Sequence, residues 1–263
     1  MLSETATNWL ALGVLAALAL AGAAWLLREF ARTAYTLPQF TLFVMNTVVA
    51  RLLWRARTSG PLPVGAGQGA VIVSNHIGPF DPSFIALEAR RPVHWMVAKE
   101  YCELPAVSWF FKTVEAIPTT RAGIDTAATK LAIRYARQGD LVGMFPEGRI
   151  NETDQLLLPG RPGAALIALR ARVPVIPCYL TDSPNDGTLF GFLFTPARAQ
   201  LLIGRAIDLT PYYDRASDKE VQRELTLRFL SEIAKLAGHP DFQPELAGKR
   251  WSPNHAETVD GNR

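Results

Sequence analysis

The chain has 263 residues, a net charge of +3 and a mean hydropathy of +0.10. This length is sufficient for one large core plus an appendage, and the hydropathy excludes a polytopic membrane protein. The small positive charge is compatible with an anionic substrate or with lipid, but it identifies neither. The two cysteines, Cys102 and Cys178, have the spacing of neither a metal site nor a disulfide framework.

An apolar stretch without charged residues runs from Trp9 to Leu27. At a rise of about 1.5 Å per residue, a helix of this length nearly spans a hydrocarbon core of roughly 30 Å. A cleaved signal peptide is the alternative, but only Glu4 is charged before the stretch, where a signal peptide carries basic residues. We therefore expect a retained membrane anchor. By the positive-inside rule, the arginines that follow predict that the bulk of the protein is cytoplasmic and the N-terminus is outside: Arg28, Arg32, Arg51, Arg55 and Arg57.

A second apolar stretch, from Leu42 to Arg57, is too short to cross a membrane comfortably. It predicts a helix that lies in the headgroup region of the membrane, or one that packs on the catalytic domain, or both. The run from Gly60 to Gly67 predicts a loop, so we place a domain boundary just before it. The resulting division is membrane helices (1–58), a central domain (59–238) and a polar, loosely held tail (239–263).

Strand and helix patterns alternate through the central domain, which predicts an α/β fold. Asp125 is a candidate N-cap, and Ser217 begins a candidate capping box for a helix that ends at Gly238. Apolar runs predict strands at 71–73, 93–98, 141–145, 173–180 and 199–203. Helical patterns also cover 105–112, 125–138 and 163–172.

The first candidate site lies where the predicted strand 71–73 ends. Asn75 and His76 follow it, then a Gly-Pro turn, then Asp81 and Pro82, so a strand, a tight loop and a helix are predicted. A carboxylate that meets an imidazole can orient it and stabilise its charge, which makes His76 a candidate general base and Asp81 its partner. A structural role stays open for both, because Asp81 before Pro82 is also an ordinary helix start.

Three further sequences follow along the chain. Ala116–Arg121 is an apolar strand that ends in arginine, Phe145–Arg149 follows a predicted strand, and Val173–Pro177 is an apolar run bounded by prolines. An arginine fork suits a phosphate, and a carboxylate accepts hydrogen bonds from hydroxyls. Lys99, at the end of another predicted strand, is either a phosphate ligand or a solvated lysine.

In their order and spacing, these sequences resemble the motifs of the glycerolipid acyltransferase family, whose members acylate glycerol 3-phosphate, lysophosphatidic acid and related acceptors. The resemblance covers residues 70–179 and includes an Asn-His-x4-Asp loop and Phe-Pro-Glu-Gly, the most specific string in the chain. It implies a mixed β-sheet flanked by helices. It also implies transfer of an acyl group from coenzyme A or acyl carrier protein to a lysophospholipid, with lysophosphatidic acid as the leading acceptor.

The same resemblance implies a division of roles among the residues. His76 would act as the general base and Asp81 would orient it. The residues implied to bind the phosphate and the glycerol hydroxyls of the acceptor are Lys99, Arg121, Glu147, Gly148 and Arg149. No metal, no resident cofactor and no nucleic-acid partner are expected.

Two departures from the family pattern concern the acceptor. Many phosphatidic-acid-forming members have Thr after the glycine and Arg one place later, whereas here Arg149 follows Gly148 directly and Ile150 comes next. Glu115 also stands near the place where the family has glycine. Another lysolipid or an amino-acid lipid is therefore an alternative acceptor, hydrolysis of a lipid or thioester is an alternative reaction, and an inactive membrane-tethered scaffold is the alternative without chemistry.

Overall fold

The described residues contain a seven-stranded sheet with helices on both faces. The computed structural model describes residues 4–120, 125–185 and 195–248. The strands are β1 (Arg57–Thr58), β2 (Ala70–Ser74), β3 (Val93–Ala98), β4 (Ile117–Thr119), β5 (Leu141–Met144), β6 (Val175–Thr181) and β7 (Gln200–Ile203). The helices are α1 (Glu4–Phe30), α2 (Leu37–Val48), α3 (Asp81–Ala89), α4 (Lys99–Cys102), α5 (Ser108–Thr113), α6 (Thr126–Arg137), α7 (Gly163–Ala171) and α8 (Lys219–Leu236). A π-helical turn (Val49–Leu53) follows α2, and a 3-10 helix (Thr210–Arg215) precedes α8.

The sheet is mixed and has β2 at its centre. The strand order is β1-β7-β6-β2-β5-β3-β4, and the only antiparallel neighbours among these described strands are β6 and β7. Every residue of β2 is buried, as expected for a central strand covered on both faces. Because the carboxyl ends of β2, β3, β5 and β6 lie at one edge, the loops that follow them meet there.

Side-chain alternation along β2 divides the core between the two faces of the sheet. Val71 and Val73 pack with α6, α7 and α8 on one face. Ile72 packs with Phe84 of α3 and with Trp54 on the other face. The predicted mixed sheet flanked by helices is confirmed.

The first helix, α1, projects from the domain and its described side chains are mostly exposed. Its segment Asn8–Phe30 is long and apolar enough to cross a membrane. At its end, the Glu29 carboxylate lies 3.3 Å from a guanidinium nitrogen of Arg90, which follows α3. This helix contains the predicted anchor.

The second apolar stretch contacts the domain with one side and exposes the other. Phe40 and Trp54 are buried, whereas Met45 and Leu52 are exposed, Leu52 by 76%. The structure differs from the predicted boundary before residue 59, because β1 already pairs with β7. A strand of two residues shows no periodicity by which a sequence pattern identifies it.

Two other expectations differ from the structure. In the predicted loose tail, Gly160 N donates to Glu245 O at 2.8 Å and Ala247 N donates to Gly160 O at 2.9 Å, so this part of the tail is attached to the domain. Such backbone pairing leaves no side-chain pattern in the sequence. The capping box at Ser217 is wrong by one residue, because Asp218 is the N-cap of α8 and accepts from the backbone N–H of Glu220.

Candidate active site

Asn75 fixes the end of the central strand. Its side chain is buried; Oδ1 accepts from Leu180 N and Nδ2 donates to Leu180 O, both at 2.8 Å. These two bonds attach the end of β2 to β6 and set where the following loop starts. Sequence reasoning assigned no role to Asn75, since only the register of β6 reveals its partner.

His76 and Asp81 form a hydrogen-bonded pair on that loop. His76 Nδ1 lies 2.8 Å from Asp81 Oδ2, and the Asp81 side chain has no exposed surface. The same oxygen accepts from Ile77 N at 2.7 Å and Gly78 N at 3.0 Å. Since that oxygen acts as an acceptor towards three nitrogens, Nδ1 carries the proton and the lone pair lies on Nε2, where a base requires it.

The direction of the Asp81 carboxylate also separates the two roles that the sequence left open. Phe80 occupies the N-cap position of α3, and Asp81 is the first helical residue. Its bonded oxygen faces the loop of His76 rather than the N–H groups of the next helical turn. The geometry therefore supports the pairing with His76 and not the capping role.

Aromatic rings hold the His76 imidazole from the side. It stacks on Phe145, with ring centroids 3.8 Å apart and planes at 6°, and Phe145 stacks on Trp95 at 4.7 Å. Trp95 lies over Gly143, where an added Cβ would come within 2.4 Å of the indole. The orientation of His76 thus depends on a glycine in the neighbouring strand β5.

Glu147 is bonded to the backbone of the loop that carries His76 and Asp81. It is 3% exposed; Oε1 accepts from His76 N at 3.0 Å and Oε2 accepts from Leu158 N at 2.8 Å. Asn151 N in turn donates to His76 O at 2.6 Å, so the segment 147–151 is bonded to both peptide groups of His76. Burial raises the pKa of Glu147 from 4.5 to about 7, although the two backbone hydrogen bonds oppose the rise. In this structure Glu147 holds the histidine loop.

Two arginines lie beside this segment. Gly148 has a φ of +73°, and a Cβ there would lie 3.2 Å from Cδ and Nε of Arg161. Arg161 is half-buried, and burial together with the charge of Arg149 lowers its pKa. Like charges held together next to the loop of His76 favour a bound anion. Sequence reasoning missed Arg161, because its approach depends on the path of the chain between residues 149 and 161.

Lys99 and Arg121 are the remaining predicted ligands. Lys99 begins α4 at the end of β3, on the same edge of the sheet, and its Nζ lies 3.4 Å from Glu103 Oε1. Arg121 lies outside the described residues. Glu115, near the position where the resemblance expects glycine, has a φ of +54°. That left-handed backbone is the conformation glycine adopts without strain, and Glu115 adopts it here.

Neither cysteine has the properties of a nucleophile. Burial raises the pKa of Cys178 to about 12, so its thiol stays protonated. Burial and neighbouring carboxylates also raise the pKa of Cys102. Within residues 4–120, 125–185 and 195–248, no group of three or more His, Cys, Asp or Glu side chains is arranged to hold a metal ion. The chemistry that these residues offer is a paired histidine base next to arginine charges.

Comparison with known proteins identifies relatives of this site and fold. Residues 55–181 match the family model described as Acyltransferase. The chain is 27% identical over 143 residues to the 1-acyl-sn-glycerol-3-phosphate acyltransferase of Bacillus subtilis, covering 54% of this chain and 68% of the relative. It is 30% identical over 117 residues to the protein of that name from Limnanthes douglasii, covering 43% of this chain and 41% of the relative.

The fold is similar to a solved structure. The 1-acyl-sn-glycerophosphate acyltransferase PlsC from Thermotoga maritima superposes with a TM-score of 0.60 at 20% identity. The superposition covers 81% of this chain and 82% of the other. The region matched by the family model contains the loop of His76 and Asp81, the segment 147–151 and Arg161.

Proposed function

We propose, on the premise that this chain belongs to the acyltransferase family, that it transfers a fatty acyl group from an acyl thioester to the hydroxyl of a lysophospholipid. The leading acceptor is 1-acylglycerol 3-phosphate, which gives phosphatidic acid; the names of the Bacillus subtilis and Limnanthes relatives describe that reaction. The thioester is carried on coenzyme A or acyl carrier protein, and the free thiol carrier is the second product.

The observation that carries this proposal is the pairing of His76 with Asp81 at 2.8 Å. Nε2 of His76 takes the proton of the acceptor hydroxyl while the hydroxyl oxygen attacks the thioester carbonyl carbon. A C–O bond forms and the C–S bond breaks; the thiolate leaves with its electron pair and takes the proton from Nε2. Asp81 stabilises the imidazolium in between. The acyl group passes directly to the acceptor, so no protein nucleophile is required.

Binding of the acceptor phosphate is proposed for the arginines next to the loop. Arg149 and Arg161 offer guanidinium forks for its oxygens, and Arg121 and Lys99 are further candidates from the sequence. A phosphate between Arg149 and Arg161 also relieves the repulsion between these two cations. Glu147 supports binding indirectly, because it fixes the backbone of His76.

The proposed setting is the membrane surface. In this proposal the helix Asn8–Phe30 anchors the chain, and the arginines after it support a catalytic domain on the cytoplasmic side by the positive-inside rule. Acyl chains and lysolipids partition into the bilayer, so an anchored domain meets both substrates where they are concentrated.

The test uses detergent-solubilised full-length protein, a long-chain acyl-CoA and a panel of lysolipids, and it follows free CoA and new lipid together. His76→Ala should lower the rate of phosphatidic acid formation by about 10²–10⁴-fold, because the general base is lost, with an unchanged melting temperature. His239→Ala is the matched control, since His239 is exposed after α8, and it should keep full activity.

Each other outcome contradicts a stated part of the proposal. CoA release without new lipid indicates hydrolysis. Product from another lysolipid alone keeps the mechanism and makes the Arg149-Ile150 sequence the determinant of acceptor choice. Full activity of His76→Ala, or its failure to fold, leaves His76 with a structural role only.

A further inference from the structure

A basic cavity of about 340 Å³ lies at the end of the sheet opposite β4, away from the aromatic stack of His76. Its walls are Arg55, Arg57, Arg198 and Gln200. We refer to these four residues as the arginine cavity. Arg55 and Arg57 have so far entered only the prediction of membrane topology, and the proposed mechanism assigns no role to any of the four.

The four side chains lie where β1 and β7 begin. Ala56 and Ala199 are buried in the core, whereas the residues on either side of each alanine are exposed; Arg55 precedes β1 in a left-handed conformation with a φ of +46°. Arg57 is paired with Gln200 across the parallel strands β1 and β7. Arg57 N donates to Ala199 O at 2.9 Å and Ala199 N donates to Trp54 O at 3.2 Å, which fixes both backbones. The arginine cavity is therefore built on a paired frame rather than on a free loop.

The charges of this cavity have no compensation within the part of the chain that the structure describes. None of its three guanidinium groups is ion-paired with a described carboxylate, whereas nearby Arg51 contacts Glu88 at 3.4 Å and donates to Ala56 O. Like charges on neighbouring strands are destabilising. Convergent, uncompensated arginines are the arrangement that a polyanion stabilises.

Although they are several strands apart, the arginine cavity and His76 lie on the same side of the sheet, the one where β2 and β6 have their carboxyl ends. Gln200 pairs with Thr181 at the carboxyl end of β6, and Ser74 at the end of β2 pairs with Cys178 of the same strand. Strands β2, β6, β7 and β1 are consecutive neighbours, so three spacings of about 4.8 Å, or about 14 Å, separate β2 from β1. A ligand that reaches both places must carry its anionic end far from its reacting end.

We propose that the arginine cavity binds the phosphate groups of coenzyme A, the carrier of the acyl thioester. The pantetheine arm separates the thioester from a pyrophosphate and a 3′-phosphate, so the reacting carbonyl can lie at His76 while the nucleotide end lies at β1 and β7. Several phosphates on one nucleotide match several guanidinium groups, whereas the arm of an acyl carrier protein has a single phosphodiester. This inference rests on the proposed use of a thioester donor, and it selects coenzyme A over the carrier protein.

The test measures binding of free CoA to the full-length protein in detergent by calorimetry, without an acceptor. The double variant Arg57→Gln/Arg198→Gln should bind CoA weaker by on the order of tenfold or more, since it loses charge-assisted hydrogen bonds to phosphate. Its KM for acyl-CoA should rise in parallel while its KM for the lysolipid stays constant. Wild-type protein should bind 3′-dephospho-CoA more weakly than CoA.

A matched control removes the same charge elsewhere. Lys130 and Arg134 line a second basic cavity of about 340 Å³ on α6. Lys130→Gln/Arg134→Gln should bind CoA as the wild type does, and both double variants should keep the melting temperature of the wild type because all four residues are at the surface.

Equal CoA binding by the wild type and by Arg57→Gln/Arg198→Gln would overturn the inference. If that variant instead loses binding to phosphatidylcholine vesicles that contain phosphatidylglycerol, the cavity is a site for lipid headgroups. Turnover with acyl carrier protein and no binding of free CoA also overturns it. Loss of CoA binding in the variant, together with no transfer to any lysolipid, would leave this inference standing and reject the proposed reaction.

Discussion

Glu147 is buried with both carboxylate oxygens bonded to backbone N–H groups, one of them belonging to the proposed base. The resemblance in the sequence implied that this glutamate binds acceptor hydroxyls, and its two backbone hydrogen bonds add a second candidate role, that of positioning His76. A ligand of the acceptor and a positioning residue make different kinetic predictions, so the two roles can be separated by one substitution.

Glu147→Gln should lower kcat and leave the KM for the lysolipid nearly unchanged. The amide group turns an N–H donor towards the backbone N–H of His76 or Leu158, and a buried donor without an acceptor costs about 1–3 kcal/mol. Steady-state kinetics and denaturant unfolding check both effects. An increase in the KM for the lysolipid with unchanged kcat would restore the role of hydroxyl ligand.

The raised pKa of Glu147 predicts how stability depends on pH. Between pH 4.5 and 7 the folded protein keeps a proton that the unfolded chain has lost. The free energy of unfolding contributed by this group is therefore fully present below pH 4.5 and is lost as pH rises through about 7. Unfolding of the wild type across this window should show a decline that Glu147→Gln, which cannot ionise, lacks. Parallel curves for the two proteins would contradict the raised pKa.

Among single residues, the sequence predicted the pairing of His76 with Asp81, because a short loop brings them together. It left the direction of the Asp81 carboxylate open. It could not identify Asn75 or Arg161, whose partners are far away along the chain. Leu180 is 105 residues from Asn75, and only the pairing of β2 with β6 brings it near.

Among the secondary-structure elements, β5 connects the packing of the core to the position of His76. Its Gly143 accommodates the Trp95 ring, on which Phe145 and then His76 stack. Gly143→Ala should destabilise the fold by about 1–3 kcal/mol through overpacking and should also lower kcat, since the displaced indole moves the stack. Thermal unfolding and turnover measure the two effects.

Gly65→Ala is the control for that substitution. A Cβ at Gly65 meets only Gln68, at 3.6 Å, so stability should change by less than about 0.5 kcal/mol and turnover should not change. If Gly143→Ala were destabilised but fully active, the stack would not position His76.

The tail segment 245–247, which pairs with Gly160, is a second element whose contribution to stability can be measured. Deleting residues 240–263 removes both backbone hydrogen bonds to Gly160, which should cost about 1–3 kcal/mol. Hydrogen exchange at the Gly160 amide should accelerate, and kcat should fall because Leu158 and Arg161 lie in the same segment. Deleting only 249–263 keeps both bonds and should keep the protection of Gly160. Unchanged exchange after the longer deletion would show that the tail does not brace this segment.

Sequence patterns predicted the larger elements well and the smallest ones poorly. The strand at 93–98 has the predicted bounds, and Asp125 caps α6 by accepting from Ala128 N at 2.9 Å. By contrast, β1 and the tail pairing rest on backbone hydrogen bonds, so their side chains carry no periodic pattern. Asp218 and Ser217 are both good capping residues, and only the backbone conformation decides between them.

At the scale of the whole molecule, the contact between α1 and the catalytic domain is small. The described contacts at their junction include the Glu29–Arg90 pair and a bond from Ala34 N to Arg90 O at 3.2 Å. An exposed ion pair of this kind contributes at most about 1 kcal/mol. The composition of α1 made it predictable from the sequence, whereas its junction with the domain was not.

Deleting residues 1–34 should leave a folded domain, destabilised by about 1–3 kcal/mol, because the Glu29–Arg90 pair and the contact of Phe30 with the buried Phe40 ring are lost. Its activity on detergent-dispersed lysolipid should persist, while its activity on lysolipid in vesicles and its sedimentation with membranes should fall. Melting curves and vesicle assays check this separation. Equal activity of both forms on vesicles would show that α2 and the exposed Leu52 are sufficient for attachment.

The proposed anchoring by α1 has a kinetic consequence, because it decides which concentration controls the rate. A tethered enzyme searches a surface, so its velocity depends on the mole fraction of lysolipid among its lipid neighbours and not on moles per litre of suspension. Adding inert phospholipid at constant total lysolipid should slow the full-length chain by surface dilution. The acyl thioester arrives from the aqueous phase, so the rate should still saturate with its molar concentration in solution. The rate therefore depends on the surface mole fraction of one substrate and on the bulk concentration of the other.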